Sequence, residues 1–131
     1  MLSVVNEVEN FGMAKNVHRN IANIIPNCDL VTNYNWHEIT KTRYVHNTTN
    51  HTFFRVDSPS PMPVFDFTNI KYEEYDAIVV SDYNKGFLHE KDIEYICSKH
   101  DFVFLDTKKV LNDWAKNAFI IKINDHEYMK S

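Results

Sequence analysis

The residues able to do chemistry in this chain gather behind three apolar runs. Ser81-Asp82-Tyr83-Asn84-Lys85-Gly86 sets a carboxylate, an ammonium and a glycine directly after Ala77-Ile78-Val79-Val80. Asp106 and Lys108 follow the run at 102–105, and Asn124 and Glu127 follow the run at 119–123. In an open parallel α/β sheet such strand ends share one edge, which is where ligands bind. Acids, lysines and an amide would converge there, a set suited to a small anionic ligand. Asp106 and Asn124 also suit a plainer role, as caps of the helices that follow them. Gly12 and Gly86 are the only glycines of the chain, so it holds no Gly-rich phosphate cradle of the P-loop or dinucleotide type.

Composition narrows the function further. The chain has 131 residues, a length expected to form one α/β domain, and its net charge is −4 with the basic residues scattered. That balance argues against a nucleic-acid or anionic-membrane partner, while a local lysine pocket for a small anion remains compatible with it. Cys28 and Cys97 have no partner spacing and read as reduced, buried thiols. With no apolar run near the roughly 20 residues that span a bilayer and no secretory leader, a soluble, cytoplasmic protein is expected. Seven histidines include no helical metal-ligand pair, and His46 with His51 lacks a third ligand. Neither cysteine has the local histidine or glycine elbow of a nucleophile.

The elements that must position these residues follow from periodicity. A short strand is expected at 3–8, a helix at 14–25 with Val17, Ile21 and Ile24 or Ile25 on one face, and a short strand at 29–32. The runs at 39–46 and 52–56 flank Asn47-Thr48-Thr49-Asn50 and predict a β-hairpin. Ser58-Pro59-Ser60-Pro61-Met62-Pro63 predicts an extended linker. From residue 76 onward the order is strand 77–80, helix 89–99, strand 102–105, helix 110–117 and strand 119–123. Strands alternating with helical crossovers predict a right-handed parallel sheet.

Taken together these segments resemble the ribokinase-like, or phosphofructokinase B, carbohydrate kinases, and within them the heptose 7-phosphate kinase branch. Residues 79–88 are similar to that branch's strand and Ser-Asp-Tyr-x-Lys-Gly turn, and Asp106-Thr107-Lys108 looks like its Asp-Pro-Lys strand end, with Thr107 in place of proline. Asn124-Asp125-His126-Glu127 matches the family's Asn-x-x-Glu motif, and the helix start at Gly12 looks like its Gly-Gly-x-x-Asn-Val segment. Thr40-Lys41-Thr42-Arg43 and Phe54-Arg55-Val56-Asp57 look like its paired lid strands. The resemblance implies a partial ribokinase-like parallel sheet at about 76–131 and a β-hairpin lid at about 39–57 within one truncated domain. It implies sugar-phosphate binding by Gly12, Asn16, Lys41, Arg43, Asp82, Lys85, Asp106 and Lys108. Magnesium would be organised by Asn124 and Glu127, ATP would serve as phosphoryl donor, and a homodimer would form through the lid.

The departures bear on activity. The family's Gly-Ala-Gly-Asp motif, whose aspartate is the general base and whose amides form the anion hole, does not occur in these residues. The usual first strand with its substrate-binding aspartate is also missing, and the chain between Asn33 and Ile39 is shorter than the family pattern. Met13 replaces the second glycine of the Gly-Gly pair, where a side chain would intrude on the sugar. Because phosphoryl transfer rests on positioning and electrostatic stabilisation, impaired catalysis is expected. The alternatives are a non-catalytic sugar-phosphate-binding module and a structural or assembly remnant.

Overall fold

The spacing of Val17 and Ile21 produces a helix, α1, over Met13–Ala22 in the computed structural model, which describes residues 3–58 and 61–131. The helix ends three residues earlier than its apolar pattern predicts. The amides of Ile24 and Ile25 both bond to Ile21 O, tightening the last turn ahead of Pro26, which disfavours helix in the residue before it. Ile24 and Ile25 are exposed and do not extend the stripe. The expected strands at 3–8 and 29–32 are not strands, because neither finds a neighbouring strand to bond. By chain contacts the molecule divides into two units, Met1–Thr32, which holds α1, and Asn33–Ser131.

The second unit begins with a 3-10 turn at Trp36–Glu38 and the expected hairpin, Lys41–Val45 (β1) against Thr52–Asp57 (β2). Antiparallel register sets Lys41 opposite Asp57 and Arg43 opposite Arg55, while Thr42 meets Val56 and Tyr44 meets Phe54. One face is therefore charged and the other apolar, with the Tyr44 and Phe54 rings stacked at 4.5 Å. A register shift between Tyr44 and Val45 takes up the extra residue, and Asn50 turns the loop at a φ of 55°. Every residue of both strands is exposed. In the expected linker, Pro59 and Ser60 lie outside the described residues; beside them Pro61 O accepts from Asn35, a buried side chain that also accepts from Asn33.

The parallel sheet forms where alternation predicts it. Ile78–Asp82 (β3), Val103–Thr107 (β4) and Ile120–Lys122 (β5) lie in the order β3-β4-β5, each pair parallel. The helix Glu90–Lys99 (α2) makes the crossover from β3 to β4, started by Asp92 accepting from the His89 amide. Val80, Val103 and Leu105 on one sheet face pack with Ile93, Ile96 and Cys97 of α2 into the core. Tyr72 joins this core and donates to Phe67 O, and burial pushes its phenol up to about 12. The helix expected at 110–117 is only a 3-10 turn, Asp113–Ala115. Asn112 is extended and its side chain accepts from the Asp113 amide, which starts the turn too late for a full helix. Trp114 and Ala115 still reach the core.

The other sheet face carries Val79, Phe104 and Ile120 in register, and Phe119 stacks edge-on against both Phe102 and Phe104. Val79, Phe102, Phe119 and Ile120 are about half exposed on it. Parallel sheets usually cover both faces, so this face is unusual. A one-turn helix, Asp125–Tyr128 (α3), follows β5. No helix among the described residues is long and apolar enough to cross a membrane.

Candidate functional site

The C-terminal edge of the parallel sheet brings together part of the set selected from sequence. Register decides which part. Asp82 pairs with Thr107 on the face that packs against α2, whereas Asp106 pairs with Lys122 on the opposite face. Asp82 is 6% exposed, and its carboxylate is surrounded by donors. The Asn84 amide donates to Oδ1 at 2.9 Å, closing an Asx turn, and Thr107 Oγ1 donates to Oδ2 at 2.8 Å. Lys109 Nζ lies 3.4 Å from Oδ2 and donates to Asn84 Oδ1 at 2.8 Å. Asn84 holds this position in the left-handed region at a φ of 52°, and Gly86 follows at 94°, a conformation that glycine adopts without strain.

Lys109 was not selected from sequence, yet it is the lysine that pairs with Asp82. Its amide donates to Thr107 Oγ1, so the chain turns back immediately after β4 and carries the next side chain over the sheet edge. The available signal was the Thr107-Lys108-Lys109 run, in which a hydroxyl at the end of a strand can turn the chain. Lys108, the one chosen, is exposed, with Nζ 5.4 Å from the centre of the Tyr83 ring.

Asn124 and Glu127 form a capping box on α3. Asn124 Oδ1 accepts from the Glu127 amide at 2.9 Å, and Glu127 Oε2 accepts from the Asn124 amide at 3.0 Å. The capping alternative therefore holds for Asn124, while Asp106 has no helix after it to cap and lies 3.4 Å from Lys122. Magnesium prefers oxygen ligands and retained waters, and one oxygen of Glu127 is already committed to the cap. Among the described residues no three His, Cys, Asp or Glu side chains gather as a metal site. His46 accepts from the Thr48 and Thr49 amides in the hairpin loop.

Two shallow clefts, open to solvent, border Lys109. One, of about 310 Å³, is lined by Lys108, Lys109, Asn124, His126, Glu127 and Lys130. The other, of about 470 Å³, is lined by His89, Glu90, Lys91 and Lys109. Lys108, Asn124 and Glu127 from the sequence set thus share a wall. Lys85 is exposed on the turn after β3, and Lys41 and Arg43 stand exposed on β1. Gly12 and Asn16 belong to the first unit, at the start of α1, where Gly12 O accepts from the Asn16 amide. No family model, no curated protein and no solved structure matches this chain.

Proposed function

We propose that this chain is a sugar-phosphate-binding protein of the ribokinase-like type, derived from a carbohydrate kinase and impaired in phosphoryl transfer. The observation that carries the reading is the lysine-lined cleft at the C-terminal edge of the parallel sheet, where Lys108, Asn124 and Glu127 meet. Acidic and amide groups beside ammonium groups are what a hydroxylated phosphate ester needs, since hydroxyls require acceptors and phosphate requires donors. The hairpin supports the lid role, because Lys41, Arg43 and Arg55 share one face. Its other, apolar face fits pairing with a second copy, giving a homodimer. Magnesium and ATP belong to the kinase chemistry, and these 131 residues carry no Gly-Ala-Gly-Asp run to supply base and anion hole.

Calorimetric titration with a panel of sugar phosphates that includes a heptose 7-phosphate tests the reading, run beside an assay for ADP release from Mg-ATP. The expected result is saturable binding that Lys108→Ala weakens about tenfold, as for loss of one charge-assisted contact, with no ADP release. Release that the variant loses would mean an intact kinase site. No binding by any member of the panel would leave a structural or assembly role.

A further inference from the structure

Lys109 is the least exposed of the cleft lysines and, among the described residues, the only one that borders both clefts: its side chain is 9% exposed. Burying an ammonium is costly unless it is paired and hydrogen-bonded, and here Asp82 and Asn84 provide both. Asp82 is itself fixed by Thr107 and the Asn84 amide, so the ammonium is held in place before any ligand arrives. A free surface lysine loses rotamer entropy when it grips an anion; Lys109 has already lost it.

The smaller cleft is cationic against the trend of the molecule. Lys108, Lys109 and Lys130 line it with one carboxylate, that of Glu127, while the Asp82 carboxylate offsets the charge of Lys109, in a protein of net charge −4. Glu127 already accepts from the Asn124 amide through Oε2. The walls are also tied together: Ser131 Oγ accepts from the Leu111 amide, in the loop after β4, and donates to Glu127 O on α3. The backbones of loop and helix that carry Lys109 and Lys130 are therefore linked. The larger cleft, on the other side of Lys109, offers the carboxylate of Glu90 and the ring of His89.

We propose that the smaller cleft is a phosphate subsite that takes a phosphate monoester dianion on Lys109, Lys130 and Lys108, with the hydroxylated remainder of the ligand lying in the cleft lined by His89 and Glu90. This rests on the sugar-phosphate reading; of the lysines and arginine that reading gives to the ligand it keeps Lys108 for the phosphate, and it adds Lys109 and Lys130. Lys109 is then the residue that determines specificity, because it touches both parts of the ligand. A monoester carries about −1.5 to −2 charge at pH 7, which Lys108 and Lys130 would meet in the main, since Asp82 offsets the charge of Lys109.

The test is calorimetric titration with inorganic phosphate and with heptose 7-phosphate at low salt, using wild type, Lys130→Gln and Lys71→Gln. Lys130 is exposed, so its removal carries little folding burden, and Lys71 is a surface lysine paired with Glu74 that lines neither cleft. The expected result is about a tenfold loss of affinity for both ligands in Lys130→Gln and no change in Lys71→Gln. Lys109→Arg, which keeps the charge but changes its shape, should weaken heptose 7-phosphate more than inorganic phosphate. Phosphate binding that Lys130→Gln and Lys71→Gln affect equally would overturn the subsite. If inorganic phosphate binds through Lys130 and heptose 7-phosphate binds no better, the subsite stands and the sugar reading falls. If heptose 7-phosphate binds and Lys130→Gln leaves it unchanged, the sugar reading stands and the subsite falls. If neither ligand binds, both fall.

Discussion

Lys109 is partly buried, and its side chain is mostly covered, where Lys41, Lys85 and Lys108 are exposed. That difference makes it a structural residue as well as a candidate ligand contact. Replacing it with methionine keeps the stem but leaves Asp82 buried without its cation, and breaking one side of a buried pair costs about 3–5 kcal/mol. Lys109→Met should therefore lower the urea midpoint strongly with an unchanged slope. Adding Asp82→Asn should recover part of the loss, since the uncompensated charge is then gone. A loss below about 1 kcal/mol in the single variant, the range of exposed pairs, would mean that the pair is screened by solvent. Asp82 was legible in the sequence because an acid follows an apolar run. Its true partner was not, because a one-residue choice between Lys108 and Lys109 depends on how the chain turns after Thr107.

At the level of elements, α3 shows how one motif serves two readings. Asn-x-x-Glu in this chain is a capping box, and each side chain satisfies the other residue's amide. A four-residue helix spreads the cost of nucleation over few bonds, and besides its cap the Ser131 contacts tie it to the loop after β4. Asn124→Ala should cost about 1 kcal/mol and fray α3, which hydrogen exchange at the Glu127 and Tyr128 amides would register as faster exchange. Unchanged exchange there would show that the Ser131 contacts hold α3 without its cap. The segment after β4 teaches the converse lesson. Its apolar spacing at 110–117 reads as helical, yet Asn112 captures the Asp113 amide and only the turn around Trp114 forms.

For the whole molecule, two apolar surfaces stand out: the Tyr44 and Phe54 face of the hairpin, and the sheet face built on Val79, Phe104 and Ile120. A two-stranded hairpin is marginal on its own in water and leaves strand edges open. The proposed homodimer through β1 and β2 covers that face. Light scattering at tens of micromolar, an order-of-magnitude range for specific association, should then give twice the 15.5 kDa of the chain. Phe54→Asp should return the single-chain mass, because a charge placed on the stacked pair cannot be desolvated without a partner. A single-chain mass for the wild type would remove the dimer from the proposal.

Local chemistry was enough to give the alternating strands, the hairpin around Asn47–Asn50, the helix behind His89 and the turn that follows Asp82. Each depends on side chains within a few residues of one another, and periodicity reports those directly. Extended segments such as 3–8 were misread because a strand exists only if another strand bonds to it, which no local pattern reveals. The site depended on register in the same way. Pairing Asp82 with Thr107, and Asp106 with Lys122, sent two similar acids to opposite faces of one sheet. Lys109 became the partner of Asp82 only because the fold brought residues 82, 84, 107 and 109 within hydrogen-bonding reach.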